Sequence, residues 1–133
     1  MTFKAELKFS DSKFHYSIIE CDYEFTQAID ETGKPCAKPR GGAINVVVES
    51  MSDPELIQWM VATGNVRSGE IVFYKDDAAQ KKLKTLSFKE AICIHLHERF
   101  TRDTETPMLS TISFVAKEMS LDGVDYSAQW TNF

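Results

Sequence analysis

Three side chains that can bind a metal recur at every second residue, Cys93, His95 and His97. Alternate residues of a β-strand point to the same face, so this spacing would present one thiol and two imidazoles together. Zinc favours these ligands, but a structural site usually needs four. The remaining histidine, His15, lies far away in the sequence and no fourth ligand is evident. We therefore favour polar residues on the outer or interfacial side of an amphipathic strand, with no bound metal or other cofactor.

Catalytic motifs are missing from the sequence. A nucleophilic serine or cysteine needs a neighbouring base, and the chain has no Gly-x-Ser-x-Gly sequence. Cys21 follows the apolar phase of a predicted strand, while Cys36 lies in a segment rich in glycine and proline. The Gly41-Gly42 pair precedes a strand instead of a helix, which is unlike a phosphate-binding loop. The acidic pair Asp76-Asp77 is typical of a solvated turn. We therefore predict that the protein is not an enzyme.

Length and charge limit the functional classes further. A chain of 133 residues is the size of one domain with one core, so we expect a single domain over residues 1–133. The net charge of -5 argues against a nucleic acid or an anionic membrane as partner. Apolar runs are too short for a membrane span or a signal peptide, which favours a protein made in the cytoplasm. The three cysteines are odd in number and far apart, so no disulfide framework is indicated.

Alternation of apolar and polar residues predicts that most of the chain is β-strand. The clearest strand is Phe3–Phe9. The segment Phe14–Thr26 also alternates, but its phase slips between Ile18 and Ile19, which predicts a β-bulge or a sharp bend. Further strands are predicted at Ala43–Ser50, Gly69–Lys75, Leu83–Phe100, Met108–Met119 and Val124–Trp130.

The longest predicted strand, Leu83–Phe100, has two distinct faces. Its even positions from Leu86 to Leu96 are mainly apolar and are predicted to face the core. Its odd positions carry small or polar side chains that would face away from the core; they include Lys89, Cys93, His95 and His97.

One helix interrupts the strands. Asp53, Pro54 and Glu55 offer a cap, a proline suited to the first helical position and an acid at the positive end of the dipole. Apolar residues from Leu56 to Val61 follow at helical spacing, with Trp59 on the flank. About seven strands and one helix predict a mainly β fold, either a β-sandwich or a small barrel.

The segment Asp30–Gly42 contains three glycines and two prolines and almost no apolar side chain, which predicts a long exposed loop. Loops of this length in compact domains are usually functional or disordered. Either a contact surface or a solvated, flexible loop is consistent with this composition.

The order of these segments resembles the Hcp (TssD) family across essentially the whole chain. The stretches that carry the resemblance are the opening Phe3-Lys4-Ala5, the loop motif Asp30-Glu31-Thr32-Gly33-Lys34-Pro35 with its end Arg40-Gly41-Gly42, Val48-Glu49-Ser50, Phe73-Tyr74-Lys75-Asp76-Asp77, the run from Leu83 to Ala91, Pro107-Met108 and Trp130. No single stretch is diagnostic, and their order carries the similarity.

The resemblance implies a β-barrel with a flanking helix that forms hexameric rings, stacked head to tail as the inner tube of a type VI secretion system. It implies export through that apparatus, with sheath, spike and effector proteins as partners, and a relation to phage tail-tube proteins. On this interpretation we expect contacts between subunits or rings, or lumen lining, at Asp30, Thr32, Gly33, Lys34, Pro35, Pro39, Arg40, Lys89, His95 and His97.

A different class of function stays open on the residues alone. Aromatic side chains in the second predicted strand, Phe14, Tyr16, Tyr23 and Phe25, would suit a monomeric barrel that binds a small ligand. An enclosed apolar cavity of about 300 Å³ or more would favour that alternative, and a filled barrel would exclude it.

Overall fold

A computed structural model describes residues 3–37, 40–76 and 81–128 of the protein. Its elements, in chain order, are β1 (Lys4–Phe9), β2 (His15–Asp22), β3 (Phe25–Thr26), β4 (Arg40–Gly41), β5 (Ile44–Glu49), α1 (Glu55–Val61), β6 (Arg67–Asp76), β7 (Lys81–Phe100), β8 (Met108–Leu121) and β9 (Val124–Ser127). Among the described residues, no helix has the length and apolar character needed to cross a bilayer.

Six antiparallel strands close into a barrel in the order β5-β2-β1-β6-β7-β8. Closure is provided by β5, which pairs with β2 on one side and with the first half of β8 on the other. The second half of β8 is paired with β9 instead, while β3 and β4 form a separate two-stranded sheet. The predicted mainly β fold is confirmed, and it is a barrel. Closure removes most exposed strand edges.

The barrel interior is filled by side chains that alternate along the strands. In β5, Ile44, Val46 and Val48 are fully buried, as period-two alternation requires. Four aromatic rings meet near one end of the barrel: Phe9 packs edge-on against Trp59 at 5.3 Å, and Phe88 lies 4.8 Å from Phe114. These rings supply a large share of the apolar area that stabilises the fold.

The predicted irregularity in the second strand is confirmed. Ile18 is opposite Val48, and Glu20 is opposite Val47, so Ile19 is the extra residue of a β-bulge. The bulge turns β2 away from β1 and towards β5.

The prediction of two uninterrupted faces on the longest strand is wrong. Leu86 and Phe88 are buried, but Glu90 adopts a left-handed backbone with φ of 51°, and the buried residues then become Ala91 and Cys93. A register shift at Ile94 reverses the phase again. Sequence alternation missed the first change because both neighbours, Lys89 and Glu90, are polar.

The helix α1 packs against β7 of the barrel. Leu56 and Trp59 are buried, whereas Ile57 and Val61 are exposed. The indole Nε1 of Trp59 donates to the carbonyl oxygens of Ala91 at 3.2 Å and Asn65 at 3.1 Å. Trp59 is therefore an anchor of the helix, and its predicted place on the flank is wrong.

Candidate assembly surfaces

The segment between β2 and β5 forms a β-hairpin. The described residues of the predicted long loop Asp30–Gly42 are mostly exposed, as expected, but its return side pairs with residues that precede it. At its base β3 pairs with β4. Further out, Ile29 forms a β-bridge with Pro35, and the amide of Cys36 donates to the carbonyl of Ala28 at 2.9 Å. We call residues 25–37 and 40–41 the hairpin arm.

A hydrogen-bonded turn built on Asp30 closes the tip of the hairpin arm. One carboxylate oxygen accepts from the hydroxyl and amide of Thr32 at 2.7 and 2.9 Å and from the amide of Lys34 at 3.1 Å. The Thr32 hydroxyl is the largest cause of a lowered pKa at Asp30, followed by the Lys34 and Thr32 amides. Gly33 has φ of 86°, a conformation that favours glycine. These residues define the shape of the tip.

The hairpin arm is exposed along its described length except at Gly41, which is half-buried. Only its base is anchored: the Phe25 ring packs edge-on against Tyr126 at 5.2 Å. A Cβ on Gly41 would lie 3.0 Å from the Tyr126 ring, so glycine allows this close approach. Ile29, near the tip, keeps 63% of its surface exposed. The arm thus contributes little to the core of its own barrel.

Other predicted contact residues are distributed over the surface. Arg40 is exposed in β4 and Pro35 is exposed in the arm, while Pro39 lies outside the described residues. Lys89, on β7, is opposite Glu118 of β8. It also borders an open groove of about 510 Å³ that is lined by Lys8 and Glu70. The structure therefore does not gather all the predicted residues at one site.

Cys93 is separated from the two histidines by the register shift at Ile94. The thiol lies on the core side, only 4% exposed, and its burial raises its pKa. His95 and His97 are exposed on the outer side, opposite Ser113 and Thr111. Within the described ranges no three His, Cys, Asp or Glu side chains come together as a metal-binding group.

The outer face beside His95 carries a hydrogen-bonded row across three strands. Ser113 donates to the side-chain oxygen of Asn45 at 2.6 Å, and the Asn45 amide donates to Asp22 at 2.8 Å. This row of hydrogen bonds runs from Ser113, which is opposite His95, to the carboxylate of Asp22 on β2. Such a surface is polar and ordered, as a contact or lumen surface would be.

The four aromatic residues that suggested a ligand-binding barrel do not line a common cavity. Tyr16 is buried in the core, Phe14 and Tyr23 are half-buried, and Phe25 packs on Tyr126 at the base of the arm. The interior is occupied by core side chains. This packing gives no support to the ligand-binding alternative.

A buried arginine is the main feature that sequence reasoning missed. Arg67 Nη2 lies 2.8 Å from Asp11 and 3.8 Å from Glu55, beneath the helix. Nearby, the Tyr16 hydroxyl shares its one proton between two carboxylates, at 2.6 Å from Asp53 Oδ2 and 3.0 Å from Glu55 Oε2. Burial, followed by these two carboxylates, raises the pKa of Tyr16. This network holds α1 against the barrel. The sequence shows no periodic pattern from which it could have been predicted.

Comparison with known proteins decides the family. The model of the family described as hemolysin coregulated protein Hcp (TssD) matches residues 1–131. The chain belongs to the Hcp (TssD) family. The resemblance found in the sequence is thereby confirmed. This Hcp (TssD) chain is a tube protein of the type VI secretion system, and its family is structural.

Solved structures agree with this assignment. The chain is similar to Hcp1 from Flavobacterium johnsoniae, with 29% identity, a TM-score of 0.84 and coverage of 94% of this chain and 99% of that one. Hcp1 from Salmonella typhimurium has 14% identity and a TM-score of 0.73, covering 96% and 93%. A chain of the anti-feeding prophage baseplate shares the fold at 13% identity and a TM-score of 0.53, covering 92% and 93%. Among curated proteins, none matches the Hcp (TssD) chain closely enough to count as a relative.

Proposed function

We propose that residues 1–133 form a single tube domain that assembles into hexameric rings, which stack head to tail as the inner tube of a contractile injection apparatus. The subunit is made in the cytoplasm and leaves the cell through that apparatus with effector proteins. The sheath and the spike are its other partners. The observation that carries the proposal is the family match over residues 1–131.

The hairpin arm supports self-assembly. A hairpin that is exposed over most of its described length makes few contacts with its own barrel, which leaves its surface free to contact a second copy. The Asp30 turn holds the tip in one conformation before any partner arrives. Such preorganisation lowers the entropic cost of docking. We assign the arm, with Arg40 in its return strand, to contacts between subunits or rings. Pro39, outside the described residues, is proposed for the same contacts.

The outer polar face is the second assembly surface. Lys89, His95 and His97 are exposed on β7, and the hydrogen-bonded row from Ser113 to Asp22 continues this surface. Heterologous contacts that repeat around an axis close into a ring when two different faces of the subunit are complementary. The face is assigned to contacts between subunits or to the lining of the lumen.

Mass and shape in solution test the proposed function. Analytical ultracentrifugation should show a species of six times the 15.1 kDa subunit mass, and electron microscopy should show rings with a central hole. A protein that stays strictly monomeric at every concentration, and never forms rings, would contradict the proposal.

A further inference from the structure

Four antiparallel strand segments form a sheet whose two outermost segments each have an unpaired edge. Their order is residues 18–22 of β2, then β5, residues 109–114 of β8 and residues 95–100 of β7. The pairing of β2 with β1 ends at Ser17, and the pairing of β7 with β6 ends at Ala91. Among the described strands, neither outermost segment therefore has a neighbour on its far side. Such edges are places where another strand can add.

The directions of these two segments allow one to pair with the other in a second copy. Each neighbouring pair in the sheet is antiparallel, so β2 and β8 run one way while β5 and β7 run the other. When β7 of one copy lies beside β2 of the next copy, that pair is antiparallel too, and the sheet continues with the same alternation. Because this contact joins two different edges, it is heterologous, and repetition about an axis closes it into a ring.

The register between the strands aligns the outer side chains of this sheet in three rows. Members of a row are opposite each other on successive strands, and every row begins with an acid and ends with a nitrogen base. The rows are Asp22, Asn45, Ser113 and His95; Glu20, Val47, Thr111 and His97; and Glu49, Leu109 and Arg99.

The two ends of the rows define two sides of the sheet. We call Asp22, Glu20 and Glu49 the acid side, and His95, His97 and Arg99 the donor side. All six side chains are exposed except that of Glu49, which is half-buried, and none forms an ion pair with another described residue. An imidazole or a guanidinium donates hydrogen bonds, whereas a carboxylate accepts them. In the two longer rows these groups are three strand spacings apart, about 14 Å, which prevents direct pairing within one chain.

The edge of β2 has room for an added strand. An open cleft of about 250 Å³ lies between residues 18–21 and the start of β1. Ile19, which borders this cleft, is 49% exposed, and Ile94 and Phe100 beside the donor side are 50% and 63% exposed. A strand paired at these edges would remove apolar surface from water as well as satisfy backbone groups.

We infer that the donor side of one copy contacts the acid side of the next copy around the ring. Residues 95–100 of β7 pair with residues 18–22 of β2 in the neighbour, and the imidazoles and the guanidinium meet the carboxylates across this seam. These groups make the contact directional, because two acid sides in contact would place acceptors against acceptors. The inference rests on the proposed rings and identifies the side chains that select the partner edge.

Two charge-reversed variants test the pairing. Glu20→Lys with Asp22→Lys reverses the acid side, and His97→Glu with Arg99→Glu reverses the donor side. Each variant alone should assemble at least about 10-fold more weakly than the parental chain, because like charges then meet at every seam. An equimolar mixture should regain rings, since each reversed side then meets a complementary one. Native mass spectrometry should find equal numbers of the two chains in each ring.

A control variant and a measurement on the parental chain accompany this test. Asp103→Lys with Asp125→Lys makes the same change of net charge as the acid-side variant, at exposed positions outside both edges. This control should form rings without a partner variant. Hydrogen exchange of the parental protein needs no substitution: amides within residues 18–22 and 95–100 should exchange more slowly in rings than in dilute subunits.

The outcomes separate this inference from the proposed function. Normal rings of either charge-reversed variant alone, or a mixture of folded variants that forms no rings, would overturn the seam while self-assembly stands. Equal exchange at both edges in rings and in dilute subunits would do the same, and this measurement decides if circular dichroism shows a variant to be unfolded. A parental chain that stays monomeric would overturn both the seam and the proposed function.

Discussion

The guanidinium carbon of Arg67 lies 3.8 Å from the centre of the Phe9 ring. Arg67 is only 8% exposed, so this cation–π contact is largely desolvated and stronger than at a surface. Its hydrogen bond to Asp11 lowers the pKa of that carboxyl. Arg67 therefore connects β6 to the turn that follows β1, through Asp11, and to α1, through Glu55.

Replacement of Arg67 by alanine should destabilise the protein by about 3 kcal/mol, because it removes a packed cation and leaves acidic neighbours uncompensated. Urea unfolding measures the change. The matched control is Arg102→Ala, whose arginine is 85% exposed beside Asp103 and should contribute close to nothing. Equal unfolding midpoints for the two variants would contradict a structural role for Arg67.

Gly69 is required by close backbone contact between β6 and β1. A Cβ built there would clash with the carbonyl oxygen of Lys8, which is rigid backbone. Gly69→Ala should therefore cost about 3 kcal/mol or more, at the upper end of overpacking effects. Gly42→Ala serves as control, since its added Cβ would meet Glu24 at an ordinary 3.5 Å. Thermal unfolding that is unaffected by Gly69→Ala would disprove the close approach.

The Asp30 turn should respond to acid. The folded pKa of Asp30 lies below the usual 3.8, so its contribution is complete above that value and is lost as the pH falls through the folded pKa. Amide chemical shifts of Thr32 and Lys34 should move together in this acidic range and not near neutrality. Asp30→Ala should give the acid-like shifts at pH 7, whereas Glu31→Gln should not. Shifts that stay constant down to pH 2 would contradict the turn geometry.

The three thiols should react at different rates. Cys36 is exposed, while burial raises the pKa of Cys21 to about 11 and that of Cys93 above its usual value. At pH 8, Cys21 carries about 100-fold less thiolate than a cysteine with the usual pKa of 9.0. We expect one rapid thiol in an Ellman assay of the unassembled protein, which Cys36→Ser removes. Rapid labelling that survives this substitution would contradict the assignment.

Local periodicity predicted many elements well. The strand over Phe3–Phe9 and the bulge at Ile19 are confirmed, because alternation and its interruption are properties of neighbouring residues. The helix is confirmed for the same reason, although it begins at Glu55 and Pro54 is its N-cap instead of its first residue. The family resemblance needed the order of many short stretches, since no one stretch identifies the fold.

The site residues were predicted less completely. Asp30, Thr32, Gly33 and Lys34 do come together. However, the hydrogen bonds from Thr32 and Lys34 to the Asp30 carboxylate shape the turn itself. The separation of Cys93 from His95 depends on the register of β7 against β8, which alternation within one strand cannot reveal. The contact roles of the predicted residues stay predictions until assembly is measured.

The sequence by itself determined most of the strands, the single helix and the exposed segment Asp30–Gly42 rich in glycine and proline, because these depend on residues adjacent in the chain. The tertiary structure decided barrel closure, in which Ile44 is opposite Phe114, and the division between β1 and β2. Both depend on pairings between segments distant in sequence, where twist, bulges and core volume choose the register. The buried Arg67 belongs to the same group, since its partners Asp11 and Glu55 come from two parts of the chain distant from it and from each other.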